Sequence, residues 1–279
     1  MNWMNKIQAF RGMSLQRIIY GTVIASFSLL LGWKGYVEIG LILAYVLGLV
    51  VTNTIIFFSY IITEISKDYS PPFHTIKQYT RYPKYLLPAN LFGNLSGESP
   101  NFFLTRYFSL DLAGYFSFIV RITVTPLQVI GNNIGETYKI HAVKHYHKYG
   151  ECKEIFLKHL RVLFLIGFSV WFVCFFYGED LVIIIFGENW AQSGIFLKYL
   201  SFLLWFQFFS VPMAYTVSFN KTLNLDFLLQ FFRLTLVLIA MITAIILNNA
   251  LIGVQLYSLS FCIFYLSHTI LQYRAAIGK

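Results

Sequence analysis

Charge is what this sequence has least of. Asp, Glu, Lys and Arg make up 12% of its 279 residues, against about 25% in an ordinary soluble domain. With 57% hydrophobic residues and a mean hydropathy of +0.64, that shortage excludes the usual soluble composition and points to the membrane class. Cysteine is scarce as well: Cys152, Cys174 and Cys262 lie far apart and match no metal-ligand or redox spacing. There is no Gly-rich phosphate loop, nucleophile elbow or HExxH run, so a catalytic site of the soluble-enzyme kind has no support. No removable signal peptide is expected either. The opening run MNWMNKIQAFRGMSLQR is amphipathic and basic, with no small-residue cleavage site behind a short apolar core. The chain is therefore expected to begin in the cytoplasm and to insert by its first spanning helix.

Long apolar runs, by contrast, are plentiful. Crossing a bilayer takes ~20 mostly apolar residues. The segments 18–33, 37–63, 157–177, 193–219, 227–247 and 250–272 meet that test, and 85–106 and 112–137 have the length but carry polar groups. An unpaired backbone group in lipid costs several kcal/mol, so each span must close on itself as a helix. The expected fold is an all-α polytopic membrane protein with about eight transmembrane helices.

The positive-inside rule tests that count. If both polar segments span, the inside segments are 1–17, 64–84, 138–161, 220–226 and the C-terminal tail, and they hold most of the Lys and Arg. The outside loops hold Glu38, Asp111, Glu179, Asp180 and Glu188, with Lys34 and Arg106. If only one polar segment spanned, every later loop would change sides and the asymmetry would collapse.

Titratable residues within spans mark functional sites by default. Four occur: Glu98, Arg121, Lys198 and Arg233. Arg233 and Lys198 lie about two turns from a helix end and are read as snorkelling to the interface. Glu98 and Arg121 fall ~12–14 Å below the outer boundary on consecutive helices. Either they form a buried ion pair that holds two helices in register, or they line a water-filled cavity that binds an anion or exchanges a proton. The surrounding polar residues favour the cavity: Asn90, Asn94, Ser96, Ser99 and Asn101 on the first helix, and Thr123, Thr125, Gln128, Asn132 and Asn133 on the second. Gly93 and Gly97 form a GxxxG step, and Pro88, Pro100 and Pro126 are expected to interrupt these helices, as at transporter binding sites. The Gly40, Ala44, Gly48 ladder is read as ordinary helix packing. His141, His145 and His147 fall in a basic loop, AVKHYHKYG, and are read as solvated rather than metal-binding. The sequons at Asn94 and Asn220 lie in the bilayer and the cytoplasm by this topology, so neither is expected to be glycosylated.

The runs RYPKYLLPANLFGNLS, GYFSFIVRITVTPLQVIGNNIGETY, FLKHLRVLFLIG and YGEDLVIIIFGENWAQSGIFLKYLS resemble the O-antigen and polysaccharide flippases, relatives of the MATE drug exporters in the MOP superfamily. The resemblance is carried by order and spacing along residues 80–220. It implies two six-helix lobes with a substrate cavity between them. On that map residues 1–63 are the last two helices of the N-lobe, 64–84 a cytoplasmic inter-lobe linker and 85–279 a complete, MATE-like C-lobe, in an N-terminally truncated chain.

The expected function is therefore that of a flippase, or a fragment of one, in the bacterial inner membrane with both termini cytoplasmic. It moves undecaprenyl-diphosphate-linked oligosaccharide for O-antigen, capsule or exopolysaccharide synthesis and makes no covalent bond. Arg121, with Arg106, would attract the diphosphate, and Glu98 would neutralise the arginine and serve as a protonation site. Asn90, Asn94, Gln128 and Asn132 would hydrogen-bond the glycan. No cofactor or metal is implied, coupling to H+ or Na+ is left open, and the expected partners are the lipid bilayer, a polysaccharide polymerase and chain-length proteins, with no nucleic acid. Three alternatives stand beside it. A cation-coupled MATE-type drug exporter would want an acidic, aromatic cavity, a membrane polymerase or glycosyltransferase would want a large catalytic loop, and a truncated fragment would have no function.

Overall fold

The structure, a computed structural model, describes residues 10–36, 39–56, 58, 80, 82–219 and 223–278. Residues 1–9, most of the expected linker 64–84, the last part of the expected span 37–63 and the Asn220-Lys221-Thr222 sequon lie outside them. Among the described residues there are eight α-helices and no strand. The chain divides into two compact units, residues 1–78 and 79–279.

The first unit holds α1 (Phe10–Trp33) and α2 (Gly40–Ile56). Gly40, Ala44, Gly48 and Thr52 recur every four residues and form the buried face of α2. A Cβ on Gly48 would lie 2.6 Å from the Ile24 Cγ1 of α1, so the glycine is what lets the two helices touch.

The second unit holds α3 (Leu87–Tyr107), α4 (Leu110–Tyr149), α5 (Lys153–Phe186), α6 (Ala191–Ser210), α7 (Leu223–Ile246) and α8 (Ala250–Ala276). Five helical stretches among the described residues are long and apolar enough to cross a membrane: Leu110–Tyr149, Lys153–Phe186, Glu188–Ser218, Asn224–Ile246 and Ala250–Ala276. The chain is a multi-pass membrane protein. The polar α3 is not among those five, although its 21 residues are long enough.

Two expectations need correction. Pro100 and Pro126 do not break their helices, which run on past them, and Pro88 sits in the first turn of α3, directly after a π-helical turn, Tyr82–Leu86. Hydroxyls satisfy part of the local backbone, since Ser96 and Ser99 donate to the carbonyls of Phe92 and Leu95. The basic stretch 138–161 is not a loop either. Ser109 caps the start of α4 by accepting the Leu112 N–H (3.2 Å), and the helix runs for 40 residues until Gly150 turns it with φ +75°. At 1.5 Å per residue that is about 60 Å, twice the hydrocarbon thickness. His141, His145 and His147 are therefore helical, and His145 bonds the Glu151 carbonyl through Nδ1 (2.7 Å).

The core of this unit is made by α4, α6, α7 and α8, with Phe116, Ile119, Phe196, Val237 and Val254 almost fully buried. The α5–α6 contact is close because Gly194 faces the backbone of Glu179. At Val211 α6 gives way to 3-10 geometry, Val211–Ser218, with Pro212 in its first turn.

Candidate functional site

One face of α3 carries Asn90, Gly93, Asn94, Gly97 and Glu98, residues one turn apart on a helix of 3.6 residues per turn. Opposite stand Val120, Thr123, Val124 and Gln128 of α4, Leu200, Leu203, Leu204 and Gln207 of α6, Gln230 and Arg233 of α7, and Tyr257, Phe261 and Tyr265 of α8. Together they enclose a cavity of about 600 Å³, within the range of about 300–1,000 Å³ that small-molecule sites occupy.

Its cation is Arg233. The residue is 6% exposed, so it does not snorkel as its place in the sequence suggested. Its guanidinium carbon lies 4.7 Å from the Phe261 ring centroid and 4.2 Å from that of Phe264, held by the aromatic faces of α8. Gly93 leaves the space for it, because a Cβ there would come within 2.8 Å of Nη2 and 3.4 Å of the Gln230 Oε1. Arg233 Nε and Gln230 Oε1 are buried and have no hydrogen-bond partner. Two polar atoms left without partners beside a wet cavity favour a ligand that supplies them, and a guanidinium prefers an anion.

The sequence-predicted residues divide. Asn90, Asn94, Glu98 and Gln128 line the cavity. Arg121, Arg106 and Asn132 are exposed and outside it. Arg121 is turned about 100° from its neighbour Val120, which takes the cavity-facing position. Glu98 and Arg121 do not pair: among the described residues the ion pair within 4 Å is His268–Asp226. Asn101 is tied up between helices, accepting a hydrogen bond from Ser117 (2.7 Å). Sequence reasoning singled out Arg233 but read it as snorkelling, and it missed Gln230 and Gln207. The signal was present, since Asp226, Gln230 and Arg233 are spaced i, i+4, i+7 on an otherwise apolar helix.

A second cavity of about 280 Å³ adjoins the first, and Asn90, Val211, Gln230, Arg233 and Tyr265 line both. It continues past Arg233 to Asp226 and His268.

A model of the family described as polysaccharide biosynthesis protein matches residues 2–195. The chain belongs to the polysaccharide biosynthesis protein family. The match covers α1 to α5 and the start of α6, including the α3 and α4 walls of the cavity. No curated protein and no solved structure matches the chain.

Proposed function

We propose that this member of the polysaccharide biosynthesis protein family is a flippase, or a flippase component, of the bacterial cytoplasmic membrane. It moves undecaprenyl-diphosphate-linked oligosaccharide from the inner to the outer leaflet, with both termini cytoplasmic, and makes no covalent bond. The observation that carries the reading is Arg233, a buried guanidinium in an amide-lined cavity.

The chemistry follows from what lines the space. A diphosphate diester offers oxygens to the terminal nitrogens of Arg233, the bidentate contact for which a guanidinium is shaped. Sugar hydroxyls find donors and acceptors in Asn90, Asn94, Gln128, Gln207 and Gln230, and Tyr257 and Phe261 offer apolar faces to the sugar rings. Glu98 lines the same cavity. In this reading Arg233 takes the role that the sequence suggested for Arg121, and the prenyl chain stays in the lipid.

The test is surface glycan display in cells that depend on this chain. Arg233→Ala should abolish it at an unchanged membrane level of the protein. Arg233→Lys should retain a part, because the charge stays and the bidentate fork is lost. In binding, Arg233→Ala should cost roughly 10- to 100-fold in affinity for a lipid diphosphate, charged hydrogen bonds being worth about 1.5–3 kcal/mol. Full glycan display in Arg233→Ala overturns the proposal.

A further inference from the structure

Below Arg233, at the far end of the second cavity, Asp226 of α7 faces His268 of α8. His268 Nε2 and Asp226 Oδ1 are 3.3 Å apart, and the two side chains are 8% and 15% exposed. The alignment falls short of a hydrogen bond, so Oδ1 is left without a partner. Both side chains are largely buried in the protein, Asp226 in the first turn of α7 and His268 about two turns before the end of α8, and a buried ionisable pair beside a cavity marks function unless it serves only as a staple.

The surroundings fix the state of the ring. The Gln272 amide nitrogen donates to the Ser210 carbonyl (2.9 Å) and also lies 2.9 Å from His268 Nδ1. Turning the amide over would place its oxygen against the Ser210 carbonyl, so the nitrogen must face that way. Its second hydrogen then points at Nδ1, which accepts. The neutral ring therefore carries its own hydrogen on Nε2, on the Asp226 side.

A second proton goes to Nδ1, where it would meet the Gln272 N–H and where the Ser210 Oγ, 3.4 Å away, is the acceptor on that side. Protonation thus requires Gln272 to let go, and with it the tie to Ser210, the last residue of α6 before the 3-10 segment. This network distinguishes two protonation states, which a staple does not need to do.

We propose that the His268–Asp226 pair is a proton-binding site that sets the anion affinity of the Arg233 cavity. The inference rests on the reading that this cavity binds an anion. One proton from the aqueous cavity adds to Nδ1, and the pair passes from a net charge of −1 to zero. The carboxylate then no longer offsets the Arg233 cation, and an anion binds more tightly. By linkage, the bound anion holds the proton more tightly in return. The other titratable and charged groups facing the pair among the described residues are Arg233 of α7 and Tyr265 of α8. The residues that α3 and the 3-10 segment bring to this cavity carry none. Glu98 lies further off, in the main cavity, and is common to every variant below.

The experiment uses the full chain in nanodiscs and farnesyl-diphosphoryl-N-acetylglucosamine, whose diester diphosphate does not titrate between about pH 5 and 8, the window of a histidine. The wild-type protein should bind the probe about tenfold more weakly at the upper end of that window than at the lower, the scale of one charge roughly a nanometre away. His268→Gln should flatten the profile. Asp226→Asn should bind the probe more tightly than the wild-type protein at the upper end of the window, because the carboxylate that offsets Arg233 is gone. A pH dependence that survives His268→Gln, or an affinity unchanged there by Asp226→Asn, overturns the proposal. Ring 15N shifts of His268 without ligand supply a separate reading, with Nε2–H expected at high pH and titration on Nδ1 below. An Nδ1–H tautomer, or no titration, overturns the proton site even where the probe binds. Failure of the wild-type protein to bind the probe at any pH, with the expected ring titration intact, overturns the anion cavity and the affinity link while leaving the proton site standing.

Discussion

Gly93 of α3 stands where any side chain would collide with the guanidinium of Arg233: a Cβ would lie 2.8 Å from Nη2. The glycine and the arginine are two halves of one feature, a gap and the cation that fills it.

Gly93→Ala follows directly from that relationship. The atom it strikes is the far end of a flexible side chain, so the fold tolerates it, and Ala gains up to about 1 kcal/mol in helix propensity over Gly. Arg233 must leave its seat over Phe261 and Phe264. The expected result is an unchanged or raised melting temperature with several-fold weaker binding of a lipid diphosphate, measured on the same detergent-solubilised sample. Loss of both together would show that Gly93 matters for packing instead.

Gly194→Ala should behave in the opposite way. There a Cβ would lie 2.6 Å from Glu179 Cα and 3.2 Å from its carbonyl oxygen, and backbone cannot swing aside. The α5–α6 pair must part, at a cost of about 1–3 kcal/mol typical of overpacking. Denaturant unfolding in micelles measures it, and wild-type stability would contradict the backbone contact.

Tyr138 and Thr216 make a buried hydroxyl pair 2.6 Å apart, and Thr216 in turn donates to the Met213 carbonyl (2.7 Å). Tyr138 is therefore the donor. Tyr138→Phe should cost about 1 kcal/mol, and Thr216→Val somewhat more because it strands the phenol hydroxyl. The double variant should cost less than the sum of the two, since the second change removes a group already without its partner. Strict additivity in a double-mutant cycle would show the pair to be energetically silent.

Cys152, in the turn between α4 and α5, is buried, and burial pushes its thiol pKa up. The thiolate is the reactive form, so alkylation by iodoacetamide near neutral pH should wait for unfolding. The sign for stability follows from the same shift. A proton held more tightly in the folded state gives stability that is complete below the unfolded thiol pKa, about 8.5, and is lost as pH rises through the higher folded value. Cys152→Ala should flatten that alkaline fall in melting temperature, and rapid labelling of the native protein would contradict the burial.

The apolar helices were legible in the sequence because hydropathy and length set them, whereas the basic extensions of α4 and α5 across 138–161 were not. The polar face of α3 was legible too, since amides and a carboxylate at helical spacing have no other use in a membrane. The arginine was not. Glu98 and Arg121 match in depth along their helices, but depth says nothing of azimuth, and Val120 and Val124 turn Arg121 away from the cavity. Arg233 looked like a snorkelling residue because its distance from the helix end permits it. What keeps it inside is the aromatic pair Phe261 and Phe264, from a helix that follows a separate turn. Contacts between helices of this kind leave no trace in either helix's own periodicity. The prolines misled because one missing N–H inside a long, otherwise bonded helix need not break it.

The meeting of α4 with the 3-10 segment has one more implication. A Cβ on Gly135 would come within 2.9 Å of the Pro212 carbonyl oxygen, so two main chains mesh there with no side chain to cushion them. Sliding one past the other would mean climbing over peptide groups, and the Tyr138–Thr216 tie sits just beside the meshing point. Shear is blocked at this seam. The 3-10 segment and the middle of α4 are therefore expected to move as one piece.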